Sequence, residues 1–260
     1  MTLNKIIKTL KSLKKLGATG VKQSFEDEGA SFQEVLIMNQ LVKKLKLNQN
    51  VKIGGCEAKN DIDFCIKNKI NGIVAPMVES EYALKKFFQA IPKKTKSKIF
   101  INIETINAIK NFKKIASSIN LKDLDGVVFG RSDIAGSLGL EKKEVNSKKI
   151  THLIKKVIYL AKKKNKGLQI KLGGSISFPS KETILNLYKN NLITSFETRN
   201  IEIKILNKNL KNFEEIIKLA FQFEIEWNQF KLRTSKIKYN NFQKKFLKKR
   251  IKEIKARLSS

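Results

Sequence analysis

From Ala18 onward the chain alternates short apolar runs with longer, lysine-rich stretches whose apolar residues recur every three or four positions. The runs predict strands at 20–26, 51–55, 72–78, 98–104, 126–130, 168–173 and 192–197. The stretches between them, such as those around Val35-Leu36-x-x-Asn39-Gln40-Leu41 and Ile150-x-x-Leu153-Ile154-x-x-Val157, have helical spacing. Short strands alternating with helices of about 10 to 15 residues build βαβ units and a parallel sheet. Seven repeats, with room for an eighth element near the ends, favour a closed (β/α)8 TIM barrel over an open sheet, the eighth strand being the least defined.

Helical spacing also marks both ends. Leu3, Ile6, Ile7, Leu10 and Leu13 predict an N-terminal helix within 1–16. Leu210, Phe213, Ile217, Ala220, Phe221 and Trp227 predict one amphipathic helix over 207–229. Beyond Lys231 the only carboxylate side chain is Glu253, and Leu247, Ile251, Ile254 and Leu258 form another helical stripe. The expected organisation is a single barrel domain with its N-terminal helix over 1–230, followed by a basic C-terminal helical extension over 231–260. That extension is read as a basic-faced helix on the barrel or on a second subunit, with docking on an anionic partner as the alternative. Its removal is expected to leave a soluble barrel.

Composition changes this picture little. At 260 residues and 41% apolar side chains the chain can bury one full core, and three prolines with no low-complexity spacer argue against a string of domains. The formal charge of +31 points by itself to nucleic acid or an anionic membrane. Lysine dominates it, however, and travels with Asn and Ile along the whole chain, as AT-biased codon usage also produces, so a solvated lysine-rich surface is the plainer reading. Cys56 and Cys65 form no C-x-x-C pair and fit free thiols in a reducing compartment. The first segment lacks the unbroken apolar stretch of a signal peptide, and no run approaches a membrane span. A cytoplasmic protein without membrane or nucleic-acid partners is expected.

The sharpest chemistry lies in Ile101-Asn102-Ile103-Glu104-Thr105 and Gly130-Arg131-Ser132-Asp133-Ile134-Ala135-Gly136. Each is a strand-like run leading to a carboxylate, with one helix-length stretch between them. Glu104 and Asp133 should therefore emerge at the same C-terminal sheet edge, where parallel α/β folds place their sites. Two carboxylates from neighbouring strands, with small residues around them, make a seat for a hard cation such as Mg²⁺.

Read in order, Ser24-Phe25-Glu26-Asp27, Gly72-Ile73-Val74-Ala75-Pro76-Met77-Val78-Glu79-Ser80, Ile103-Glu104-Thr105 and Gly130-x-x-Asp133-Ile134-Ala135-x-x-Leu138-Gly139 resemble the HpcH/HpaI aldolase and citrate lyase family. The resemblance covers 18–140 by motif and the remainder by element order. It implies a phosphoenolpyruvate-type barrel that makes or breaks a C–C bond next to a pyruvate-like or acetyl unit, with Mg²⁺ or Mn²⁺ held by Glu104 and Asp133. It also implies a small 2-oxoacid substrate and a homo-oligomer, with the apolar stripe from Leu210 to Trp227 as the subunit contact.

The chain departs from that pattern in informative places. The aldolase branch uses a His after its early acidic residues, whereas the single His152 falls within a predicted outer helix. Proton transfer then passes to Asp27, Glu28 or a metal-bound hydroxide. An Arg expected on the second strand is absent; Lys52 or Arg131 is the candidate to offset the oxyanion. Arg131, the backbone of Ser132, and Arg199 are candidates for the substrate's anionic groups, because arginine in a lysine-dominated chain is a selective choice. Gly173-Gly174-Ser175 and the segment around Arg199 differ from those that handle an acyl-thioester, so a coenzyme A substrate is not expected. The leading expectation is a metal-dependent lyase or aldolase acting through a pyruvate enolate. A catalytically altered barrel serving as scaffold or binding subunit, and a nucleic-acid-associated protein, are the alternatives.

Overall fold

In a computed structural model, which describes residues 3–234 and 237–259, the apolar runs pair side by side into a closed barrel of eight strands. The strands are β1 (Ala18–Ser24), β2 (Asn48–Lys52), β3 (Gly72–Ala75), β4 (Lys98–Ile103), β5 (Gly126–Gly130), β6 (Gln169–Gly173), β7 (Ser195–Glu197) and β8 (Ile201–Lys204). The first seven run parallel. The expected helices lie between them: α2 (Phe32–Lys44), α3 (Lys59–Lys67), α4 (Glu81–Ala90), α5 (Ile106–Ser117), α6 (Arg131–Ser137), α7 (Lys148–Lys164) and α8 (Lys181–Lys189), with α1 (Leu3–Lys15) preceding β1. Residues 1–2 of the expected N-terminal helix lie outside the described residues.

The eighth unit differs from the repeat. β8 pairs antiparallel with both β7 and β1, and so closes the barrel as one arm of a hairpin. Only Thr198, Arg199 and Asn200 separate β7 from β8, far fewer residues than a parallel crossover needs. The Thr198 hydroxyl accepts from the Ile201 amide at 3.2 Å and the Thr198 amide donates to the Ile201 carbonyl at 2.9 Å, fixing the turn.

Strand alternation sorts the side chains into two layers. In β4, Ile99, Ile101 and Ile103 pack outward under the helices within the main apolar core, while Phe100 faces inward with Val74 and Val128 in a separate small cluster. The rest of the interior is polar. Lys171 stacks over the Phe100 ring at 3.9 Å and pairs with Glu202 at 2.7 Å, and the Asn50 amide donates to the same carboxylate at 2.6 Å. A charge inside a barrel is tolerated only when paired in this way.

The C-terminal part is more integral than the sequence suggests. The predicted helix over 207–229 splits into α9 (Asn207–Lys211) and α10 (Phe213–Arg233), and α11 (Asn241–Ser259) follows. α10 is buried on nearly every face, with Phe213, Ile217, Phe223 and Trp227 all but inaccessible, because α1 and α11 pack against it. The stripe from Leu210 to Trp227 is therefore covered within the chain. The boundary at 230 is corrected: Lys231 continues α10, is buried, and pairs with Glu34 at 3.3 Å. Leu247 and Ile254 of α11 are buried in turn. Residues 235, 236 and 260 of the expected extension are outside the described residues. Among the described residues no helix is long and apolar enough to cross a membrane.

Candidate active site

Glu104 owes its position to a local rule. Thr105 caps α5, its hydroxyl accepting from the Ala108 amide at 3.1 Å, so Glu104 is the last extended residue of its segment and falls on the inward-facing register of Phe100 and Asn102. The side chain is 1% exposed. One carboxylate oxygen accepts from the Met77 amide at 3.0 Å; the other accepts from the Asn102 amide at 2.8 Å and meets the Lys52 ammonium at 3.3 Å. Lys52, from the end of β2, also contacts Glu26 at 2.8 Å. Burial works against its charge, but Glu104, Glu26 and Asp27 outweigh it and hold the Lys52 ammonium above its ordinary range.

Asp133 enters from the first turn of α6, directly after β5. Gly130 is what joins the two carboxylates. A methyl group there would lie 2.8 Å from Glu104 Oε2 and 3.6 Å from Asp133 Oδ2. A side chain there would collide with Glu104, its Cβ included at 2.7 Å, so glycine lets both carboxylates approach the same stretch of backbone. Partial burial, then the neighbouring Glu104 charge, push the Asp133 carboxyl above the usual carboxylate range, against the opposing pull of Lys52.

These groups line a cavity of about 310 Å³ at the C-terminal ends of the strands. Asp27, Lys52, Glu104, Ser132, Asp133 and Arg199 are brought together there. Asp27 lies in the loop after β1; burial raises its pKa, but Lys22, Arg199 and the Ser24 hydroxyl overcome this and hold its carboxyl below the usual range. Glu28 stands behind Arg199, 3.9 Å from the guanidinium, and accepts from the Asn200 amide at 2.9 Å. Burial pushes its carboxyl up to about 7, with Asp27 and Glu224 adding to the shift and Arg199 and Lys231 opposing it.

Arg131 is not brought in, which corrects its candidacy as an oxyanion or substrate group. The side chain is fully buried, with Nε on the Gly173 carbonyl at 3.0 Å, one terminal nitrogen on Asn146 at 2.6 Å and the other on the Gly174 carbonyl at 3.0 Å. It ties the turn after β6 to the α6–α7 connection. Gly174, at φ +77°, lies so close to the Arg131 and Ser132 amides that a methyl group there would sit 2.3 and 2.5 Å from them, so those amides are covered by backbone. Ser132 faces the cavity through its hydroxyl, paired with that of Ser175 at 2.8 Å. His152 is exposed on α7, away from the cavity.

Sequence reasoning missed Lys22, Asn102, Glu197, Glu224, Arg250 and Arg257, which also line the cavity. Lys22 pairs with Glu197 at 2.5 Å across the β1–β7 side. A signal existed in the single charged positions within otherwise apolar strands, since inward barrel positions alternate with outward ones. Glu224 was masked by the apolar stripe of α10.

Among the described residues no group of three or more His, Cys, Asp or Glu side chains gathers into a cage. Two carboxylates lining one cavity, with the buried Asn102 carbonyl oxygen beside them lacking a donor, suit a Mg²⁺-like ion that keeps positions for water and substrate. The residues present fit such an ion.

Paired carboxylates over a polar interior stand at the C-terminal mouth of the barrel, where parallel barrels carry their chemistry. Residues 45–171 match the sequence profile described as HpcH/HpaI aldolase/citrate lyase, a family that is generally dependent on a divalent metal. Solved structures agree in fold. An HpcH/HpaI aldolase from Desulfitobacterium hafniense is similar at 13% identity and a TM-score of 0.59, over 74% of this chain and 81% of that one. Citrate synthase SbnG is similar at 13% identity and a TM-score of 0.60, over 83% and 89% of the respective chains. A family protein from Burkholderia cenocepacia is similar at 11% identity and a TM-score of 0.58, over 74% and 82%. No curated protein matches the chain.

Proposed function

We propose that this chain is a Mg²⁺- or Mn²⁺-dependent lyase or aldolase that cleaves or forms a C–C bond in a small 2-oxoacid through a pyruvate enolate. The observation that carries this reading is the convergence of Glu104 and Asp133 beside Gly130 on one cavity. These two residues would hold the ion, which when bound supplies electrophilic stabilisation of the keto oxygen and of the charge that develops on cleavage. Lys52, kept protonated beside Glu104, adds a fixed positive charge toward that oxyanion in place of an arginine. Asp27 is ionised at neutral pH and lies on the cavity wall, so it takes and returns the proton at the leaving group. Glu28 acts through Arg199, holding the guanidinium at the cavity edge. The polar floor of Lys22 and Glu197 excludes a large apolar substrate. A cytoplasmic setting accords with two free thiols, Cys65 being buried and its thiol pushed up to about 12 by that burial and by Asp61.

The test needs no knowledge of the acceptor. Exchange of the pyruvate methyl protons with D₂O, followed by proton NMR, is expected with Mg²⁺, and is expected to vanish with a chelator and in Glu104→Gln and Asp133→Asn. Exchange that persists in both variants would overturn the assignment. The scaffold reading draws on one observation, that Lys52 already neutralises Glu104; a metal-loaded chain inert toward pyruvate would favour it.

A further inference from the structure

Among the described residues, five that are not glycine have a positive φ: Lys46, Lys69, Met77, Ser175 and Asn191. Lys46, Lys69 and Asn191 each follow the C-cap of a helix, α2, α3 and α8 respectively, where a left-handed residue commonly ends the helix. Met77 and Ser175 end no helix. They lie in the turns after β3 and β6, at φ +46° and +51°. The Met77 amide donates to Glu104 at 3.0 Å. Ser175 lines the cavity together with Glu104 and Asp133, and a serine in a conformation that glycine adopts without strain points to a use for its hydroxyl.

That hydroxyl pairs with the hydroxyl of Ser132, the residue before Asp133, at 2.8 Å, and Ser132 lines the same cavity. Each serine has one O–H, and the contact between them uses one of the two. Neither hydroxyl has a further protein partner among the described residues. Whichever of them donates, one O–H is left on the cavity wall without a protein acceptor. The backbone amides of Arg131 and Ser132 do not serve in its place, because Gly174 covers them. Arg131 holds the pair from behind: its N–H groups go to the carbonyls of Gly173, Gly174 and Val145, to Asn146 Oδ1 and to Ser180 Oγ, at 2.6 to 3.5 Å. All of these acceptors are neutral. A fully buried guanidinium with no carboxylate among its partners fixes the turn and favours negative charge on the cavity side of it.

We propose that the hydroxyls of Ser132 and Ser175 form a specificity-determining subsite that receives one oxygen of a substrate carboxylate beside Glu104 and Asp133. The inference rests on the lyase reading in taking the ligand to be a 2-oxoacid. The free O–H donates to the carboxylate oxygen, and the other hydroxyl turns from its partner to donate as well. An oxyanion thus gains two charge-assisted hydrogen bonds where a neutral carbonyl oxygen gains weaker ones. Glu104 and Asp133 repel an anion in the metal-free chain, so the subsite acts with a divalent cation in place. Arg131 is a positioning residue, acting through the turn that carries Ser175.

Pyruvate and oxalate, each titrated calorimetrically into the full chain at a fixed Mg²⁺ concentration, test this. Both are expected to bind about tenfold more weakly in Ser132→Ala, Ser175→Ala and Ser175→Gly, with the affinity for Mg²⁺ unchanged. Ser175→Gly suits a left-handed backbone and should melt at a higher temperature than Ser175→Ala. The two should nevertheless lose the same affinity, because both lack the hydroxyl; a serine that merely shapes the turn would make the loss follow stability. Emission from the buried Trp227 reports that the variants are folded. Undiminished binding in all three variants, binding by Ser175→Gly equal to that of the unaltered chain, or no binding of either anion to the unaltered chain overturns the subsite. Serine-dependent oxalate binding without exchange of the pyruvate methyl protons would count against the lyase reading alone. Exchange with an unchanged KM for pyruvate in the serine variants would overturn the subsite and leave that reading standing.

Discussion

The two walls of the cavity are built on different principles. The wall of Lys52, Glu104 and Asp133 comes from three strand ends, each group placed by its own strand or by the first turn after it. The facing wall of Lys142, Arg199, Glu224, Arg250 and Arg257 is gathered from a 3₁₀ turn, a hairpin and two C-terminal helices. The first wall is a property of the βα repeat, so a local motif suffices to specify it. The second exists only once α11 has docked on α10, so no window of sequence contains it.

The sharpest way to break this comparison is to remove the first wall. Glu104→Gln and Asp133→Asn should each lower metal-dependent turnover by about a thousandfold, an effect of roughly 4 kcal/mol on the barrier, with the fold retained in circular dichroism. Removing the second wall should reach stability. Deleting 241–260 strips Leu247, Ile254 and the Arg250 clamp from α10, and a loss of roughly 3 to 6 kcal/mol in denaturant unfolding is expected from the two aliphatic side chains alone. This replaces the sequence-based expectation that the extension is dispensable; a truncated chain of unchanged stability would restore it.

Lys52→Met sharpens the contrast inside the first wall. It leaves Glu104 buried without its cation, and should lower metal-free stability by roughly 3 kcal/mol. Mg²⁺ should then raise the melting temperature of the variant more than that of the unaltered chain. Glu28 probes the junction between the walls through pH. Its folded carboxyl titrates at about 7 against an ordinary 4.5, so the folded state binds the proton more tightly. Stability contributed by that proton is full below pH 4.5 and declines as pH rises toward about 7, by up to roughly 3 kcal/mol. Glu28→Gln should flatten this slope and leave the protein more stable than the parent at pH 8. The smallest effect is expected for the charge of +31: DNA and RNA should bind weakly, without sequence preference, and be lost steeply with salt. Submicromolar selective binding at about 0.15 M salt would mark a true nucleic-acid site.

The sequence by itself determined the barrel and the pair of carboxylates at its C-terminal edge. The seven parallel strands follow from apolar runs at regular spacing, and the places of Glu104 and Asp133 follow from strand ends beside a capping Thr105 and the small Gly130, all interactions a few residues long. His152 was likewise legible as an outer-ring residue. Tertiary structure alone decided the rest. The direction of β8 depended on a three-residue connection too short for a crossover. Arg131 was drawn into a buried clamp by the Gly173 and Gly174 carbonyls, which lie more than forty residues away. The lysine-rich extension became the roof because an arginine of α11 found Glu224, a buried carboxylate of α10 that an apolar stripe had concealed. Periodicity records which face of an element is apolar, whereas the pairing of one buried charge with another is set by how distant elements pack.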